Sequence, residues 1–588
     1  MPLALAALYA CGATPSAPSD AGPDASDAGV APADAAPPDA CDTTYPPGPY
    51  GLQIGDRLEA LPFDAESDGG VVGITLRTFF DPCAPAKLLV LRLGAGFCGT
   101  CEWHTKHDAL GARPYGARLR VVDVVASDRD NFPATHLALL TYRARVALPD
   151  VVMGDPQLRL FAAREPLPAY VLVSTTTMRV LGRVSDPSPE ELDHSIRAAL
   201  AAIDGAPAPD GDPVALHDGR FRTDQWDMIH AMTLPGAPPP DPTNAKADDA
   251  AAAALGKALF FDATLSPSGK VSCATCHDPQ LAFTDGKPQS EGVERVDRNA
   301  PPVALAAHAR WQFWDGRADT IWMQAAGPIE DAREMGSTRL FVAHRIAQAY
   351  AASFQAVWGA LPPLGDAQRF PATGKPGDAA WGGMTQGDRD LVTRVLVDVA
   401  KSIGAYERTL RVAPNRLDAY VGGDAKALSD AEKDGLADFF AAGCAQCHWG
   451  PRLTDDAFHN ARFPTGRRDS APDNGWRDGI IKLFQSELHA GSPWSDAPQS
   501  RFGVLAPVAL TLGTMKTPTL RGLPQSAPYG HGGTVATLKD VLDVYGAPGL
   551  PPGDPRTIGD VEPWLARVGG EQRASILRFL EVLDGVTQ

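Results

Sequence analysis

The stretch Ser272-Cys273-Ala274-Thr275-Cys276-His277 contains a CxxCH motif, the most informative pattern in this chain. Two thiols and an imidazole at this spacing attach a haem covalently and give its iron one ligand. The pattern occurs again at Cys444-Ala445-Gln446-Cys447-His448. The alternative, a zinc half-site, requires further Cys or His pairs nearby to complete a tetrahedron, and none follow. The sequence therefore predicts two covalently bound c-type haems, with His277 and His448 as iron ligands.

Length and charge limit the remaining options. A chain of 588 residues is too long for one core and should divide into several domains. The net charge of -18 argues against nucleic acid and anionic membrane surfaces as partners, and is compatible with docking of a basic redox protein. Covalent haem and paired thiols suit an exported protein. Cys41 and Cys83 are left over and could form a disulfide.

The N-terminal residues predict export. Residues 1–11 form a short apolar run ending in Leu8-Tyr9-Ala10-Cys11, which is similar to a bacterial lipoprotein cleavage site with the lipid on Cys11; an ordinary cleaved signal is the alternative. Residues 12–45 have almost no large apolar side chain and predict a disordered tether. The expected location is the periplasm or cell envelope, with the membrane contacted only through the lipid.

Residues 46–205 alternate apolar runs with helical stretches, which predicts an α/β domain. A strand over 87–93 leads into Phe97-Cys98-Gly99-Thr100-Cys101, and a helix follows over 102–110. Cys98 would then lie at a helix N-terminus, where backbone N–H groups lower a thiol pKa. Further strands are predicted at 119–126, 170–174 and 179–184.

This CxxC segment resembles the Trp-Cys-Gly-Pro-Cys motif of the thioredoxin-like superfamily, and Pro168 stands where that superfamily has a cis-proline. The resemblance implies dithiol exchange, with Cys98 attacking and Cys101 resolving. A structural disulfide in a degenerate thioredoxin fold is the alternative. Phe97 and Thr100 depart from the commonest motif and leave the redox potential open.

The rest of the chain predicts a linker at 206–245 and two mainly helical haem domains, 246–420 and 421–588. The linker is rich in Pro, Gly, Ala and Asp. Predicted helices cover 250–260, 391–410, 537–545 and 571–583, and Ser429-Asp430-Ala431-Glu432 is a capping box before the second haem motif.

Several motifs resemble the bacterial di-haem cytochrome c peroxidase and MauG family. They include Leu255 to Asp262, Ala282 to Gly286, Arg298 to Pro301, Phe313 to Ala318, Ala405 to Leu410, Phe458 to Asn460, Lys516 to Arg521 and Ala527 to His531. The resemblance implies two cytochrome c-like domains, with a peroxide-reacting haem at His277 and an electron-transfer haem at His448. It also implies hydrogen peroxide as substrate, a cytochrome c or cupredoxin as electron donor, and a homodimer as one option.

The resemblance also assigns side chains around the haems. Gln312 matches the family's distal glutamine, and Asn299 is the residue carried over as a calcium ligand. Met515 is favoured as the sixth ligand of the second haem, with His531 as the alternative and core packing of Met515 as a third reading. Trp311 and Trp314 are candidates for an aromatic bridge between the haems, or for core packing.

Two positions depart from the family pattern. Trp322 stands where the distal glutamate is expected, and Glu330 or Asp319 would have to substitute for it. The segment 289–297 contains no His that could close the first haem, so its iron is expected to be open, as in MauG. The leading prediction is a peroxidase. The alternatives are a MauG-like oxidase of a protein or organic substrate and a non-catalytic electron-transfer protein.

Overall fold

The computed structural model describes residues 42–588 except 68–69, 86, 109, 111–114, 147–150, 163–164, 467–470, 500–504, 506–510, 547–556, 563 and 586–588. The predicted export signal, the lipid site at Cys11 and nearly all of the tether lie outside the described residues. Residues Thr43–Gln588 form one compact unit. Cys83 is disulfide-bonded, and its expected partner Cys41 lies outside the described residues.

The first part of this unit is an α/β domain. Its described residues form a seven-stranded sheet in the order β2-β1-β5-β4-β3-β6-β7. The strands are β1 Pro62–Ser67, β2 Gly70–Thr75, β3 Leu88–Gly94, β4 Leu119–Val125, β5 Val152–Gly154, β6 Ala169–Ser174 and β7 Val180–Ser185, and the helices are α1 Gly99–His107, α2 His136–Val146 and α3 Pro189–Asp204. β3 runs parallel to β4 and antiparallel to β6. The predicted thioredoxin-like fold is confirmed, with each predicted strand within two residues of the observed one.

The central strand β3 is buried along its whole length, as its run of Leu and Val requires. Arg92 interrupts that run. Its guanidinium lies 2.6 Å from Asp123 and 2.6 Å from Asp108, so the buried charge is paired on two sides.

A helix lies inside the segment predicted as linker. This helix, α4 Thr223–Ala231, places Met228 and Ile229 in an apolar cluster with Leu436 and Phe579 of the C-terminal part. Trp103 on α1 donates its indole N–H to Asp227 at 3.1 Å. The segment therefore connects the two parts by packing against both.

The haem-binding parts are mainly helical, as predicted. Their helices are α5 Ala250–Phe260, α6 Cys273–Cys276, α7 Ile321–Glu330, α8 Arg339–Ala349, α9 Ala351–Trp358, α10 Ala379–Gly382, α11 Gln386–Glu407, α12 Arg416–Val421, α13 Asp430–Ala441, α14 Trp476–Gln485, α15 Leu538–Gly546 and α16 Gly570–Leu580. Strands β8 Phe458–His459 and β9 Met515–Lys516 form a short antiparallel pair. The capping box predicted at Ser429 opens α13. None of the described helices combines the length and apolarity that a membrane crossing needs.

The crossing of α5 on α11 depends on Gly256. A Cβ at this position would lie 1.8 Å from the carbonyl oxygen of Ser402, so only glycine permits the contact. We expect Gly256→Ala to push the helices apart and to cost about 1–3 kcal/mol of unfolding free energy. Gly387→Ala is the matched control, because its Cβ would meet nothing within 4 Å and a helical Ala stabilises by up to about 1 kcal/mol. Urea unfolding midpoints test the pair; equal midpoints would contradict the close contact.

One loop of the thioredoxin-like domain is embedded in the haem-binding part. Within the segment Asp128–Phe132, Asp130 accepts the indole N–H of Trp311 at 2.9 Å. Asn131 donates to the carbonyl oxygen of Phe458 at 2.9 Å and to Glu562 at 2.7 Å. The ring of Phe132 packs edge-on against Trp476, inside the apolar core that also contains Trp311 and Phe458. This loop, which follows β4, fixes the domain against the haem-binding part.

Candidate functional site

The first CxxCH segment holds its histidine in one defined orientation. Cys273–Cys276 forms the single turn α6, and the Ser272 backbone N–H is bound by the Thr275 hydroxyl at 2.9 Å. His277 Nδ1 lies 3.0 Å from the carbonyl oxygen of Phe283. Because that carbonyl can only accept, Nδ1 carries the proton and Nε2 is left for a metal. Burial lowers the pKa of His277, which keeps the imidazole neutral.

The second segment repeats this arrangement. Gly443, with φ of 84°, lets the chain turn into Cys444. His448 Nδ1 lies 3.0 Å from the carbonyl oxygen of Leu453, and burial lowers its pKa in the same way. Nε2 of His448 is again the nitrogen available to iron.

The four thiols also fit covalent haem attachment. Cys273, Cys276, Cys444 and Cys447 take part in no disulfide with any described residue. Burial raises the pKa of Cys276 and of Cys444 to about 12, so both thiols are neutral. Two free cysteines for attachment and one backbone-anchored imidazole for ligation are what a c-type haem requires.

A single large cavity connects the two segments. Its lining includes Cys276 and His277 from the first segment and Cys444, Cys447 and His448 from the second. Trp314 lies on the lining and bonds to both halves: its indole N–H donates to Asn299 O at 2.9 Å, and its carbonyl accepts Lys516 N–H at 2.8 Å. Trp311, the other bridge candidate, is fully buried against Asp130 and does not line the cavity.

Comparison with known proteins identifies this arrangement. The family model described as di-haem cytochrome c peroxidase matches residues 250–426. The chain is 34% identical over 297 residues to cytochrome c551 peroxidase of Pseudomonas aeruginosa, covering 50% of this chain and 70% of the relative. It is 30% identical over 335 residues to the methylamine utilization protein MauG of Methylorubrum extorquens, covering 56% and 77%. The chain belongs to the di-haem cytochrome c peroxidase family. It is an oxidoreductase that takes two haem c groups.

Solved structures include two similar chains of this kind. The di-haem peroxidase BthA from Burkholderia thailandensis is 23% identical, with 60% of this chain and 94% of that chain covered and a TM-score of 0.44. A MauG-like protein associated with microbial copper homeostasis is 25% identical, with 60% and 93% covered and a TM-score of 0.42.

The two sixth-ligand candidates of this peroxidase-family chain both line the cavity. Met515, on β9, is paired in register with His459 on β8, and the His459 imidazole lies beside Cys447. The His531 carbonyl instead accepts the backbone N–H of Asn299, from a motif of the first haem domain. Met515 is therefore tied to the second haem segment by its strand pairing, and His531 is tied to the first domain.

The residues expected above the first haem separate into two groups. Gln312 lines the cavity, and its amide nitrogen donates to the carbonyl oxygens of Ala306 and Ala309 at 3.0 and 3.3 Å. Trp322 is 0% exposed and lies off the cavity, where its indole N–H donates to Thr243 at 2.9 Å. The predicted substitutes are also elsewhere: Asp319 accepts the backbone N–H of Ala490, and Glu330 pairs with Arg339.

Glu334 is a cavity residue that sequence reasoning missed. It lines the same cavity as His277 and Gln312, and it is close enough to Cys276 to raise the pKa of that thiol. Within the described structure its carboxyl group makes no hydrogen bond and no ion pair. Burial raises the pKa of Glu334, although the charges of Arg317 and Arg333 act to lower it. No local pattern marks it, because it lies in a turn after α7.

A buried charge network, also missed, forms part of the cavity wall. Arg298 lies 2.6 Å from Asp315 and 2.7 Å from Asp473. Asp315 is fully buried and pairs with Arg317 as well, at 2.9 Å. Arg298, Asp315 and Arg317 stand in motifs quoted above, whereas Asp473 lies in a polar segment that carries no recognisable pattern.

Asn299, the predicted calcium ligand, is buried on the cavity wall. Its side-chain nitrogen donates to Lys287 O at 2.8 Å. That bond directs the amide nitrogen away and leaves the carboxamide oxygen as the atom a hard cation would take.

The predicted thiol pair lies apart from the cavity, in the thioredoxin-like domain. Cys98 and Cys101 form a disulfide with a Cα–Cα distance of 5.2 Å. Cys98 caps α1, and its sulfur accepts the Cys101 backbone N–H at 3.1 Å. The Leu167–Pro168 peptide bond is cis. Both cysteines are buried, with 1% and 2% of their surface exposed.

Proposed function

We propose that this protein reduces hydrogen peroxide at a haem attached to Cys273 and Cys276, and receives electrons through a second haem attached to Cys444 and Cys447. The observation that carries the proposal is the cavity shared by the two CxxCH segments, each with a histidine anchored through Nδ1. The haems, when bound, supply the iron that reacts with peroxide and accepts electrons. A small redox protein, a cytochrome c or a cupredoxin, is the proposed donor.

The chain's own residues would position peroxide and move its protons. Gln312 has its amide nitrogen held by two carbonyls, so its oxygen can accept a hydrogen bond inside the cavity. Glu334 is the carboxyl group free to carry a proton between the peroxide oxygens, the role that Trp322 cannot fill. Glu330 and Asp319 are committed to other partners.

The test of the function is peroxide consumption by the full-length, haem-loaded protein with a reduced small cytochrome c as donor. Sustained donor oxidation well above that of free haem is expected. Consumption no faster than free haem would overturn the proposal, because the residues around the iron would then contribute nothing.

A second candidate function is MauG-like oxidation of a protein or organic substrate. It is favoured by the segment 289–297, which contains no His that could close the first haem, and MauG is among the relatives, at 30% identity. In that case one equivalent of peroxide should give a long-lived oxidised state with little turnover of small donors. Rapid decay coupled to donor oxidation would favour the peroxidase.

Met515 is proposed as the sixth ligand of the second haem. Met515→Ala should abolish the long-wavelength thioether-to-iron charge-transfer band of the oxidised protein and lower the reduction potential, because thioether ligation raises potential. His531→Ala is the matched control and should keep the band. The reverse result would assign His531, whose pKa burial lowers to about 4, as the ligand.

The cellular location, the calcium binding and the assembly of the protein are proposed from its sequence. We expect export to the periplasm or cell envelope with a lipid on Cys11, a calcium ion bound through Asn299, and a homodimer as one assembly. Cys11→Ala should release the protein from membranes if Cys11 carries a lipid. A calcium chelator should lower the stability of the haem domains if Asn299 binds calcium.

A further inference from the structure

The disulfide-bearing helix of the thioredoxin-like domain is packed against the second haem segment. Gly99 lies between the two cysteines of the pair, and a Cβ at this position would come 2.4 Å from Cδ2 of the Trp449 indole. The backbone between Cys98 and Cys101 is therefore in van der Waals contact with Trp449. Trp449 directly follows His448, the proposed iron ligand.

The contact continues on both sides of Gly99. The ring of Phe97 packs edge-on against His459 with centroids 4.6 Å apart. Cys447, a haem-attachment cysteine, packs against the apolar cluster that contains Phe97, Cys98 and Cys101. Phe97 and Gly99, the sequence neighbours of Cys98, thus contact His459 and Trp449, and Cys447 packs against the same apolar cluster as the disulfide.

The remaining side of α1 is covered as well. Thr100 donates its hydroxyl to the Met228 sulfur at 3.4 Å, and Trp103 bonds to Asp227, both on α4. With 1% of Cys98 and 2% of Cys101 exposed, a folded protein disulfide has no approach to the sulfurs. Exchange with a protein substrate, the use expected from the thioredoxin resemblance, does not suit this arrangement.

We propose that Cys98 and Cys101 form an internal two-electron donor that discharges into the haem group held by Cys444, Cys447 and His448, with Trp449 as the contact. This inference rests on the proposed peroxidase function. The electron count matches that function, because one dithiol holds the two electrons that one peroxide takes.

The overall step balances without a further reductant. In H2O2 + 2 Cys–SH → 2 H2O + Cys–S–S–Cys, the two S–H bonds and the O–O bond break and the S–S bond forms. Each sulfur loses one electron, each oxygen gains one, and the two thiol protons end in water. A small dithiol restores the pair by thiol–disulfide exchange, becoming a disulfide itself. The overall direction is favourable whatever the potential of this pair, because hydrogen peroxide is a far stronger oxidant than a protein disulfide.

The experiment uses the full-length, haem-loaded protein reduced with excess dithiothreitol and then freed of it without air. Substoichiometric peroxide is added with no other donor, thiols are alkylated, and the Cys98–Cys101 peptides are quantified by mass spectrometry. We expect one disulfide to form per peroxide in the wild type. In Trp449→Leu its formation should become slower, whereas Trp449→Phe, which keeps an aromatic ring on Gly99, should stay close to the wild type.

Four results would overturn the inference. A pair that stays oxidised in excess dithiothreitol is a structural disulfide. Disulfide formation at the same rate in Trp449→Leu, with sulfenic acid on Cys98 in a Cys101→Ser variant, shows that peroxide attacks the thiol directly. Peroxide turnover with external cytochrome c but without disulfide formation leaves the proposed function intact and removes the internal donor. Loss of both reactions overturns the proposed function and this inference with it.

Discussion

Glu334→Gln should lower peroxide turnover by about 10²–10⁴-fold, the range that a positioned acid-base group contributes. The substitution keeps the size of the side chain and removes its ionisable proton. Since burial raises the pKa of Glu334, the wild-type rate should fall as pH rises through that pKa, and the variant should lack this part of the profile. Steady-state kinetics with reduced cytochrome c across pH would measure both effects.

Glu330→Gln is the matched control for this result. It makes the same chemical change four positions earlier, on a carboxylate that pairs with Arg339 off the cavity. Its turnover and pH profile should follow the wild type, even if its stability drops. Should Glu330→Gln be the inactive variant, the acid-base role would belong there and the cavity assignment of Glu334 would be wrong.

Arg298→Ala should cost about 3–5 kcal/mol of unfolding free energy, because it leaves Asp315 and Asp473 buried without their shared cation. Urea unfolding at neutral pH would measure the loss. Arg118→Ala removes an exposed pair with Asp204 and should leave the midpoint nearly unchanged. Similar shifts in the two variants would show that the buried network adds no stability beyond an exposed ion pair.

The same network predicts a pH dependence with a definite sign. Although burial opposes its charge, the hydrogen bond and charge of Arg298 lower the pKa of Asp473 to about 2. A depressed carboxylate pKa stabilises the fold above the unfolded value of about 3.9 and loses that contribution as pH falls toward 2. Without Arg298 the pKa of Asp473 should rise, because burial opposes its charge, so protonation favours the folded variant. The stability gap between wild type and variant should therefore narrow below about pH 4.

Patterns among neighbouring residues predict many of the strands and helices of this fold. The buried strand β3, the helix α5 opened by Asp249 and the capping box at Ser429 are set by residues within a few positions of one another, and all were predicted close to their observed bounds. The CxxCH segments were recognisable because attachment and ligation both lie within five residues. Spacing alone does not predict that the two segments line one cavity.

The features that the sequence does not predict are contacts between residues that are far apart along the chain. Glu334 reaches the cavity from a turn after α7 with no periodicity to mark it. Asp473 meets Arg298 across 175 positions. Trp449 meets Gly99 across the boundary between two differently folded parts, and neither the CxxC nor the CxxCH motif predicts the other as its neighbour. The segment 206–245, which contains α4, is predicted as linker because the flanks of the helix are rich in Pro and Gly.

The embedded loop Asp128–Phe132 limits how the two parts of this protein can be separated or exchanged, in evolution and in engineering. Because Phe132 completes a core on Trp476 and Asn131 satisfies a backbone carbonyl of Phe458, the haem-binding part cannot be inherited alone without exposing that surface. A split gene would have to produce two chains that reassociate at this loop. Likewise, a thioredoxin-like domain grafted from another protein would need its own phenylalanine and asparagine here to be accepted.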